Sequence, residues 1–256
     1  MDAFPVVYTR TRYKDYSFLI QPECVRQEFM YPPIRYVLQE YYIYKKQYRE
    51  IIHSDGAYCL LGCTCYIDQL IEYHDALAEC TLDEGGRPVY GFFGFIVPVR
   101  KYEQIPAFDL SLCADMVAES LIPLWNERYP KKQSAPVMQL PEKTVLHPEV
   151  STTPVTLKNC HFYPDDKGLW DMLLHAALCQ GKSVSYCSFM TDYKVLASYY
   201  YTHTVTSEDI LNRLQREVEE HSAEHVYPEL PDMPSTESQT LWDRIMNKFK
   251  TQGGNQ

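Results

Sequence analysis

The sequence predicts an α+β fold with two lobes, each built from short strands and packed helices, followed by a tethered C-terminal amphipathic helix. Three observations support this prediction. Short apolar stretches that suit strands alternate with stretches whose apolar residues recur every three or four positions, as on one face of a helix. A proline-rich segment divides the chain, and a second one separates its last residues. With 256 residues and 45% hydrophobic content, the chain is able to bury one or two cores.

The prolines set the predicted domain boundaries. Residues 130–154 contain five prolines and no glycine. Because proline fixes φ and has no N–H to donate, we expect an extended connector there. This connector separates an N-terminal α+β lobe, residues 1–129, from a C-terminal α+β lobe, residues 155–227. Residues 228–256 then form a proline-rich tether and the amphipathic helix.

The N-terminal lobe begins with a predicted strand at residues 16–21. Apolar residues at helical spacing then predict a helix that begins near Pro33 and ends at Ser54-Asp55-Gly56. Its expected buried face consists of Ile34, Val37, Leu38, Tyr41, Tyr44, Tyr48, Ile51 and Ile52.

The rest of this lobe alternates between strands and helices. Residues 57–67 predict a strand, and residues 68–79 a short helix with Asp68 as its N-cap. Residues 89–99 form the clearest buried strand in the sequence. Residues 109–125 predict a helix that Pro123 bends or ends.

In the C-terminal lobe, residues 155–162 predict a strand and Asp165-Asp166 the start of a helix that Gly181 ends. Residues 183–190 and 195–205 predict two further strands, and residues 206–209 begin a last helix. Apart from the short helix over residues 68–79, both lobes can be written as strand, helix, strand, strand, and whether they are duplicated stays open.

Composition limits the classes of function. The net charge of −10 disfavours a nucleic-acid partner unless the fold carries a local basic stripe. No segment approaches the roughly 20 apolar residues of a membrane helix, so we expect no membrane span. The sequence lacks a secretory signal pattern and has nine cysteines, which predicts reduced thiols in a cytoplasmic protein. The 22 tyrosines suit both strands and protein interfaces.

The pattern His221-Ser222-Ala223-Glu224-His225 resembles H-x-x-E-H, the zinc motif of the inverted metalloproteases. On a helix, His221 and His225 would share a face and could hold Zn²⁺ with Glu224 as the catalytic base. The surroundings are those of a charged, solvated helix end, which is the alternative interpretation. Zinc is the one cofactor that a motif suggests, and none is otherwise expected.

Two further patterns have an ordinary structural interpretation beside a functional one. Cys59, Cys63 and Cys65 share one face of a predicted strand, where thiols either bind metal or pack in the core. Gly91 and Gly94 lie inside another strand, where glycine marks either a close ligand or crowded packing.

A small basic and aromatic cluster lies near the N-terminus. It consists of Tyr8, Arg10, Arg12, Tyr13 and Lys14. Such residues can stack on bases and pair with phosphates, or they can protect an edge strand from aggregation.

The C-terminal segment is the most suggestive binding element. Residues 240–250 place five apolar side chains on one face of a predicted helix, with basic residues on the other side. The candidate partner-binding residues are Leu241, Trp242, Ile245, Met246 and Phe249. This helix could dock on its own protein, in the groove of a partner or on a membrane surface.

These patterns predict a non-catalytic binding or adaptor protein with a protein partner. It would use its tyrosine-rich surface and the C-terminal helix for contacts. The alternatives are a metal-dependent hydrolase with the H-x-x-E-H helix, and a small-ligand sensor that uses the strand around Gly91 and Gly94. The oligomeric state is left open by the sequence.

Overall fold

The computed structural model contains both α-helices and a mixed β-sheet, so the predicted α+β class is confirmed. The residues that it describes are 1–41, 49–145, 154–157, 160–164, 167–188, 202–205 and 208–224.

Strands and helices alternate along the chain. The strands are β1 (Asp2–Thr9), β2 (Ser17–Gln21), β3 (Arg49–Ser54), β4 (Tyr58–Tyr66), β5 (Tyr90–Pro98), β6 (Ile105–Pro106), β7 (Gln133–Ser134), β8 (Met138–Gln139), β9 (Glu142–Lys143), β10 (Val155–Leu157), β11 (Cys160–Pro164), β12 (Val184–Cys187) and β13 (Thr202–Val205). The α-helices are α1 (Gln27–Tyr41), α2 (Leu110–Leu121), α3 (Lys167–Leu178) and α4 (Glu208–Glu224). Short 3-10 helices occupy Ile67–Leu70, Asp75–Cys80 and Ile122–Leu124.

One large sheet organises the fold. Its strand order is β10-β11-β13-β12-β3-β4-β5-β1-β2-β7, and β8 pairs with the start of β1. Strand β13 runs parallel to both β11 and β12, and β7 runs parallel to β2. The other pairs in this sheet are antiparallel. A separate two-stranded sheet joins β6 to β9.

Helices cover both faces of the large sheet. Because successive side chains of a strand point to opposite faces, Leu61 of β4 belongs to one core and Leu60 to the other. The first core lies under α2 and α3, and the second under α1 and the beginning of α4. The result is a sheet that is buried on both sides, which explains why β4 and β5 are almost continuously apolar.

The predicted helix over residues 33–52 is wrong at both ends. Helix α1 begins at Gln27 and contains Pro32 and Pro33. Ile51 and Ile52 belong to β3 and pack in opposite cores. A central strand that is covered on both faces has no polar alternation, so its two adjacent isoleucines mimicked the end of a helical pattern.

Other predicted elements are confirmed or refined. Strands β2, β4 and β5 match residues 16–21, 57–67 and 89–99. Helix α2 matches as well, since Asp109 caps it and a 3-10 turn with Pro123 follows. The predicted helix over residues 68–79 is instead two 3-10 helices.

In the C-terminal half, α3 and β12 confirm the predicted helix after Asp165-Asp166 and the strand within 183–190. The single strand predicted at residues 155–162 is a pair, β10 and β11. Of the region 195–205, the structure describes β13, and of the last helix it describes α4.

Strands from both predicted lobes belong to the same sheet. They meet where Tyr186 of β12 lies opposite Ile52 of β3. The predicted connector contributes β7, β8 and β9, and its residues 146–153 lie outside the described part. The boundaries at 129 and 155 stay a prediction, but the sheet continues across them.

Contacts between Cα atoms divide the chain into two compact units, Met1–Gln215 and Arg216–Gln256. The first unit contains the sheet and both cores. In the second unit the structure describes residues 216–224, which are helical. Every helix in the described ranges is too short or too polar to span a bilayer.

Candidate functional site

A cleft in the described part of the chain lies at the N-terminal end of α2. Its volume is about 640 Å³. The lining residues are Glu50, Asp68, Gln69, Glu72, Tyr73, Phe108, Asp109 and Leu110. Four of these eight residues carry carboxylates and none carries a cationic side chain, so the cleft is strongly acidic.

Local hydrogen bonds fix the segments that line this acidic cleft. The N–H of Tyr66 donates to Oε1 of Gln69 at 2.9 Å, which holds the first 3-10 turn against the end of β4. The Oδ1 atom of Asp109 accepts from the N–H of Leu112 at 3.0 Å and from the hydroxyl of Ser111 at 2.7 Å. The cleft is therefore built on capped helix ends rather than on a long loop.

The acidic character extends beyond the cleft along two stretches of sequence. Residues 50–86 and 102–127 together contain thirteen Asp and Glu residues and no Lys or Arg. The first stretch supplies the 3-10 turns and the second supplies α2, and these elements pack against each other. Local cations cannot neutralise the lining carboxylates from within these stretches, so the cleft should attract positive charge.

Two aromatic side chains, Tyr73 and Phe108, also line the acidic cleft. The ring of Phe108 lies 5.6 Å from Trp170 and 6.4 Å from Phe95, centroid to centroid, so core aromatics support it. Tyr73 is 45% exposed, and its hydrogen bond to Glu72 is the main cause of the raised pKa of its hydroxyl. A cationic group entering here would meet both carboxylates and aromatic rings, a combination that favours ammonium and guanidinium groups.

The predicted basic and aromatic cluster is divided by the fold. Tyr8 is buried in the core under α1. Arg10 is also buried, where its Nη1 lies 3.0 Å from Oδ2 of Asp83 and its Nη2 donates to the Tyr16 hydroxyl. Arg12, Tyr13 and Lys14 are exposed.

Asp83 is a buried anchor that the sequence did not reveal. It accepts hydrogen bonds from Arg10 and from both the N–H and the Nε–H of Arg87. Burial opposes its ionised form, but these hydrogen bonds outweigh burial, so the pKa of Asp83 lies below its usual value. Arg10 and Asp83 are distant in sequence, and no short motif could have connected them.

The cysteines of β4 are core residues, as the packing interpretation predicted. Cys59, Cys63 and Cys65 have no exposed surface and belong to the core under α2. The sulfur of Cys63 lies 3.8 Å from that of Cys113 on α2. Burial raises the pKa of the Cys65 and Cys113 thiols, whereas hydrogen bonds from Cys113 and Cys65 lower the pKa of Cys63. Because none of the three has exposed surface, no substrate can reach the Cys63 sulfur, and the cluster suits packing and not nucleophilic chemistry.

Gly91 and Gly94 fill crowded positions in the sheet. A Cβ at Gly94 would overlap the Leu61 carbonyl oxygen, and it would lie 2.7 Å from the Cα of Gly62. The ring of Phe92 occupies the space beside both Gly62 and Gly94. These contacts leave no room for a ligand at Gly94.

The residues of the H-x-x-E-H pattern are only partly described. The backbone of His221 and Glu224 lies in α4, and His225 lies outside the described residues. In the ranges that the structure describes, no group of three or more His, Cys, Asp or Glu side chains could hold a metal ion. The zinc site therefore stays a prediction.

The candidate partner-binding residues of the tail also lie outside the described part. They are Leu241, Trp242, Ile245, Met246 and Phe249.

Comparison with known proteins gives no match to a family model, to a curated protein or to a solved structure. The geometry of the chain itself is thus the basis for a functional proposal.

Proposed function

We propose that this chain is a non-catalytic binding protein whose acidic cleft takes a cationic segment of a protein partner. The observation that carries the proposal is the lining of the cleft, which combines four carboxylates with two aromatic rings and includes no Lys or Arg of the described ranges. Lys and Arg side chains suit such a lining because their positive charge pairs with carboxylates. In addition, the planar guanidinium of Arg and the aliphatic stem of Lys can pack on aromatic rings.

The size of the cleft favours an extended segment over a single small ion. A volume of about 640 Å³ falls in the usual range of roughly 300–1,000 Å³ for ligand sites. Exposed ion pairs contribute only ~0.2–1 kcal/mol each. Several of them, together with an aromatic contact at Tyr73 or Phe108, are needed for useful affinity.

The adaptor part of the proposal rests on the C-terminal segment. Its five apolar residues at helical spacing would give a second docking element on the proline-rich tether of residues 228–256. One partner would then bind the acidic cleft and another the helix. A cytoplasmic location fits the nine free thiols.

A charge-reversal experiment tests the cleft. Asp68 and Glu72 are exposed, so the double variant Asp68→Lys/Glu72→Lys should fold normally. We expect it to weaken binding of a fluorescent Arg/Lys-rich peptide by at least about tenfold, because removal of each exposed ion pair costs ~0.2–1 kcal/mol and repulsion adds to that cost. Fluorescence anisotropy at low salt measures the change.

The matched control is Glu23→Lys/Glu28→Lys, which changes the net charge equally at two exposed residues near the start of α1. This control should retain most of the affinity. Equal weakening by both double variants would show that only the overall negative charge attracts the peptide, and it would contradict a specific cleft. Pull-downs with and without residues 229–256 test the adaptor part separately.

The hydrolase and small-ligand sensor alternatives have separate tests. The hydrolase rests on the pattern of His221, Glu224 and His225 alone. Metal analysis of the purified protein and of a His221→Ala variant would test it, since a zinc site should lose its stoichiometric metal in the variant. A thermal-shift screen with metabolites would test the sensor.

A further inference from the structure

Two loops that are far apart in sequence meet and form a basic surface. Residues 11–15 and residues 126–132 contain five Lys and Arg residues and two Asp and Glu residues, in a chain whose net charge is −10. Nη1 of Arg12 donates to Oδ1 of Asn126 at 3.1 Å. The guanidinium carbon of Arg128 lies 5.8 Å from the centroid of the Tyr13 ring. We call these two loops the basic face.

The first loop of the basic face is held in a defined turn. The N–H of Thr11 donates to the Lys14 carbonyl at 3.0 Å, and the N–H of Lys14 donates to the Thr11 hydroxyl. The Arg12 carbonyl accepts from the N–H of Glu84, which ties the turn to the loop before β5. The Arg12 side chain also lies over Tyr13, with its guanidinium carbon 5.4 Å from the ring centroid.

The cations of the basic face are available to a ligand. Arg12, Lys14, Arg128, Lys131 and Lys132 are all exposed. None of the five forms an ion pair with any residue that the structure describes. The carboxylates within the two loops are Asp15 and Glu127, so positive charge dominates locally.

A shallow cavity of about 220 Å³ lies beside the first loop. Arg12, Lys14 and Arg87 supply cations to its lining, and Asp15, Asp83 and Glu84 supply carboxylates. Asp83 is already neutralised by its ion pairs with Arg10 and Arg87. These ion pairs also engage Arg87, so the remaining lining has Arg12 and Lys14 beside Asp15 and Glu84, and the cavity adds a concave position but no net positive charge to the basic face.

Tyr129 provides the second kind of contact. It is 90% exposed, far more than the other exposed large apolar side chains, and it follows Arg128 directly. Its ring presents a surface to solvent within the most basic part of the face. An aromatic ring beside exposed cations is the arrangement on which single-stranded nucleic acids stack their bases and pair their phosphates.

We propose that the basic face binds single-stranded nucleic acid, with Arg12, Arg128, Lys131 and Lys132 on phosphates and Tyr129 stacked on a base. The net charge of the chain is −10, and the basic face is a local exception of the kind that such an acidic balance leaves open. Duplex fits less well, since its bases are already stacked on each other and cannot cover the Tyr129 ring.

Binding of a fluorescent oligothymidylate of roughly 12 nucleotides tests the proposal, because single-strand sites span ~4–16 nucleotides. We expect affinity to fall as salt rises from about 50 to 200 mM. The variant Lys131→Glu/Lys132→Glu should reduce the slope of log affinity against log salt by ~0.7 for each lysine–phosphate pair that it removes. Lys101→Glu/Lys182→Glu, at two exposed lysines outside the basic face, is the control of equal charge change.

Two substitutions at one position separate stacking from charge. Tyr129→Ala should weaken binding about tenfold, whereas Tyr129→Phe keeps the ring and should bind like the original protein. Inorganic polyphosphate serves as a competitor that offers phosphates without bases, and we expect it to compete poorly.

Three results would overturn the proposal. The first is no binding of the oligonucleotide at low salt. The second is equal weakening by the control pair and by Lys131→Glu/Lys132→Glu, which would mean that the charge acts at long range. The third is full affinity in Tyr129→Ala together with strong competition by polyphosphate, which would leave a general anion surface and no nucleic-acid site. None of these results depends on whether the acidic cleft binds a peptide.

Discussion

His53 shows how the fold controls the protonation of one side chain. It lies on β3, and its ring packs 5.0 Å from that of Phe29 on α1, centroid to centroid. Burial lowers its pKa to about 4, although the nearby charge of Asp55 acts in the opposite direction. The folded protein thus holds this imidazole neutral at a pH where the unfolded chain, with a pKa of ~6.5, already binds a proton.

This difference predicts a pH-dependent stability. Between about pH 6.5 and pH 4 the unfolded chain binds more protons at His53, so the free energy of unfolding should decrease as the pH falls through this window, by at most ~3 kcal/mol. His53→Gln should remove that part of the decrease. Urea unfolding at several pH values measures it, with His161→Gln at an exposed histidine as the control. A variant that keeps the full decrease would assign the pH dependence to other groups.

Asp83 shows why the buried ion pairs of this protein could not be predicted from the sequence. Its partners are Arg87, four residues away, and Arg10, which is 73 residues away. Arg87 lies in an ordinary turn, and the sequence showed Arg10 only as a member of a basic and aromatic cluster. The burial of this ion pair depends on tertiary packing, which no local pattern encodes.

At the scale of elements, the pairing of β4 with β5 depends on two opposed glycines. Gly62 lies opposite Gly94, and the Phe92 ring packs beside both. The absence of two Cβ atoms lets this aromatic ring approach the backbone of the central strands. Glycine usually weakens a strand, so its presence here is explained by close packing.

Gly94→Ala should therefore destabilise the protein by about 1–3 kcal/mol, or more if the strands cannot move apart, because the new methyl group overlaps the Leu61 carbonyl. Gly85→Ala is the matched control. It lies in a turn where the new Cβ would be 3.4 Å from its nearest neighbour, so we expect a change within about 0.5 kcal/mol. Thermal unfolding measures the stability of both variants. Equal stability of the two would contradict crowding at Gly94.

Elements with strong local signals were predictable, and elements defined by distant pairing were not. Asp109, the helical spacing after it and Pro123 were sufficient to predict α2 and its end. Strand β3 was hidden, because its apolar residues face two cores and extend the spacing of the preceding helix. Strand β1 was not predicted as a central strand. Its partners β2 and β5 come from separate parts of the chain, so its position depends on pairing that the local sequence does not show.

The same reason applies to the two binding surfaces. Sequence spacing drew attention to Arg12, Tyr13 and Lys14, but not to the loop of Arg128 that joins them. The carboxylates of the cleft come from the first 3-10 helix, from the turn after it, from β3 and from the cap of α2, so their convergence required the fold. The absence of Lys and Arg from residues 50–86 and 102–127 was a signal in the sequence that could have indicated an acidic surface.

For the whole molecule, the shared core decides how the chain unfolds. Trp170 of α3 packs against Phe108 and against Tyr186, which come from the two predicted lobes. The core under α2 also contains the apolar face of α3, with Leu169, Leu173, Leu174, Ala177 and Leu178. The two predicted lobes should therefore unfold in one transition.

A fragment of residues 1–129 should then lack a cooperative urea transition, because it leaves the edge of β3 unpaired and exposes core surface that α3 covers. A fragment of residues 1–215, which corresponds to the first compact unit, should unfold cooperatively. Circular dichroism and one-dimensional proton NMR measure both. A cooperative transition in the shorter fragment would show that the N-terminal lobe is an independent domain.

The pairing of β3 with β12 also has a consequence for synthesis on the ribosome. Tyr186 lies opposite Ile52, about 130 residues earlier in the chain. At a translation rate of ~5–20 residues per second, β3 would emerge roughly 7–26 s before its partner strand. Throughout that interval the nascent chain presents an open, apolar strand edge, the kind of surface that chaperones protect and that neighbouring nascent chains can capture.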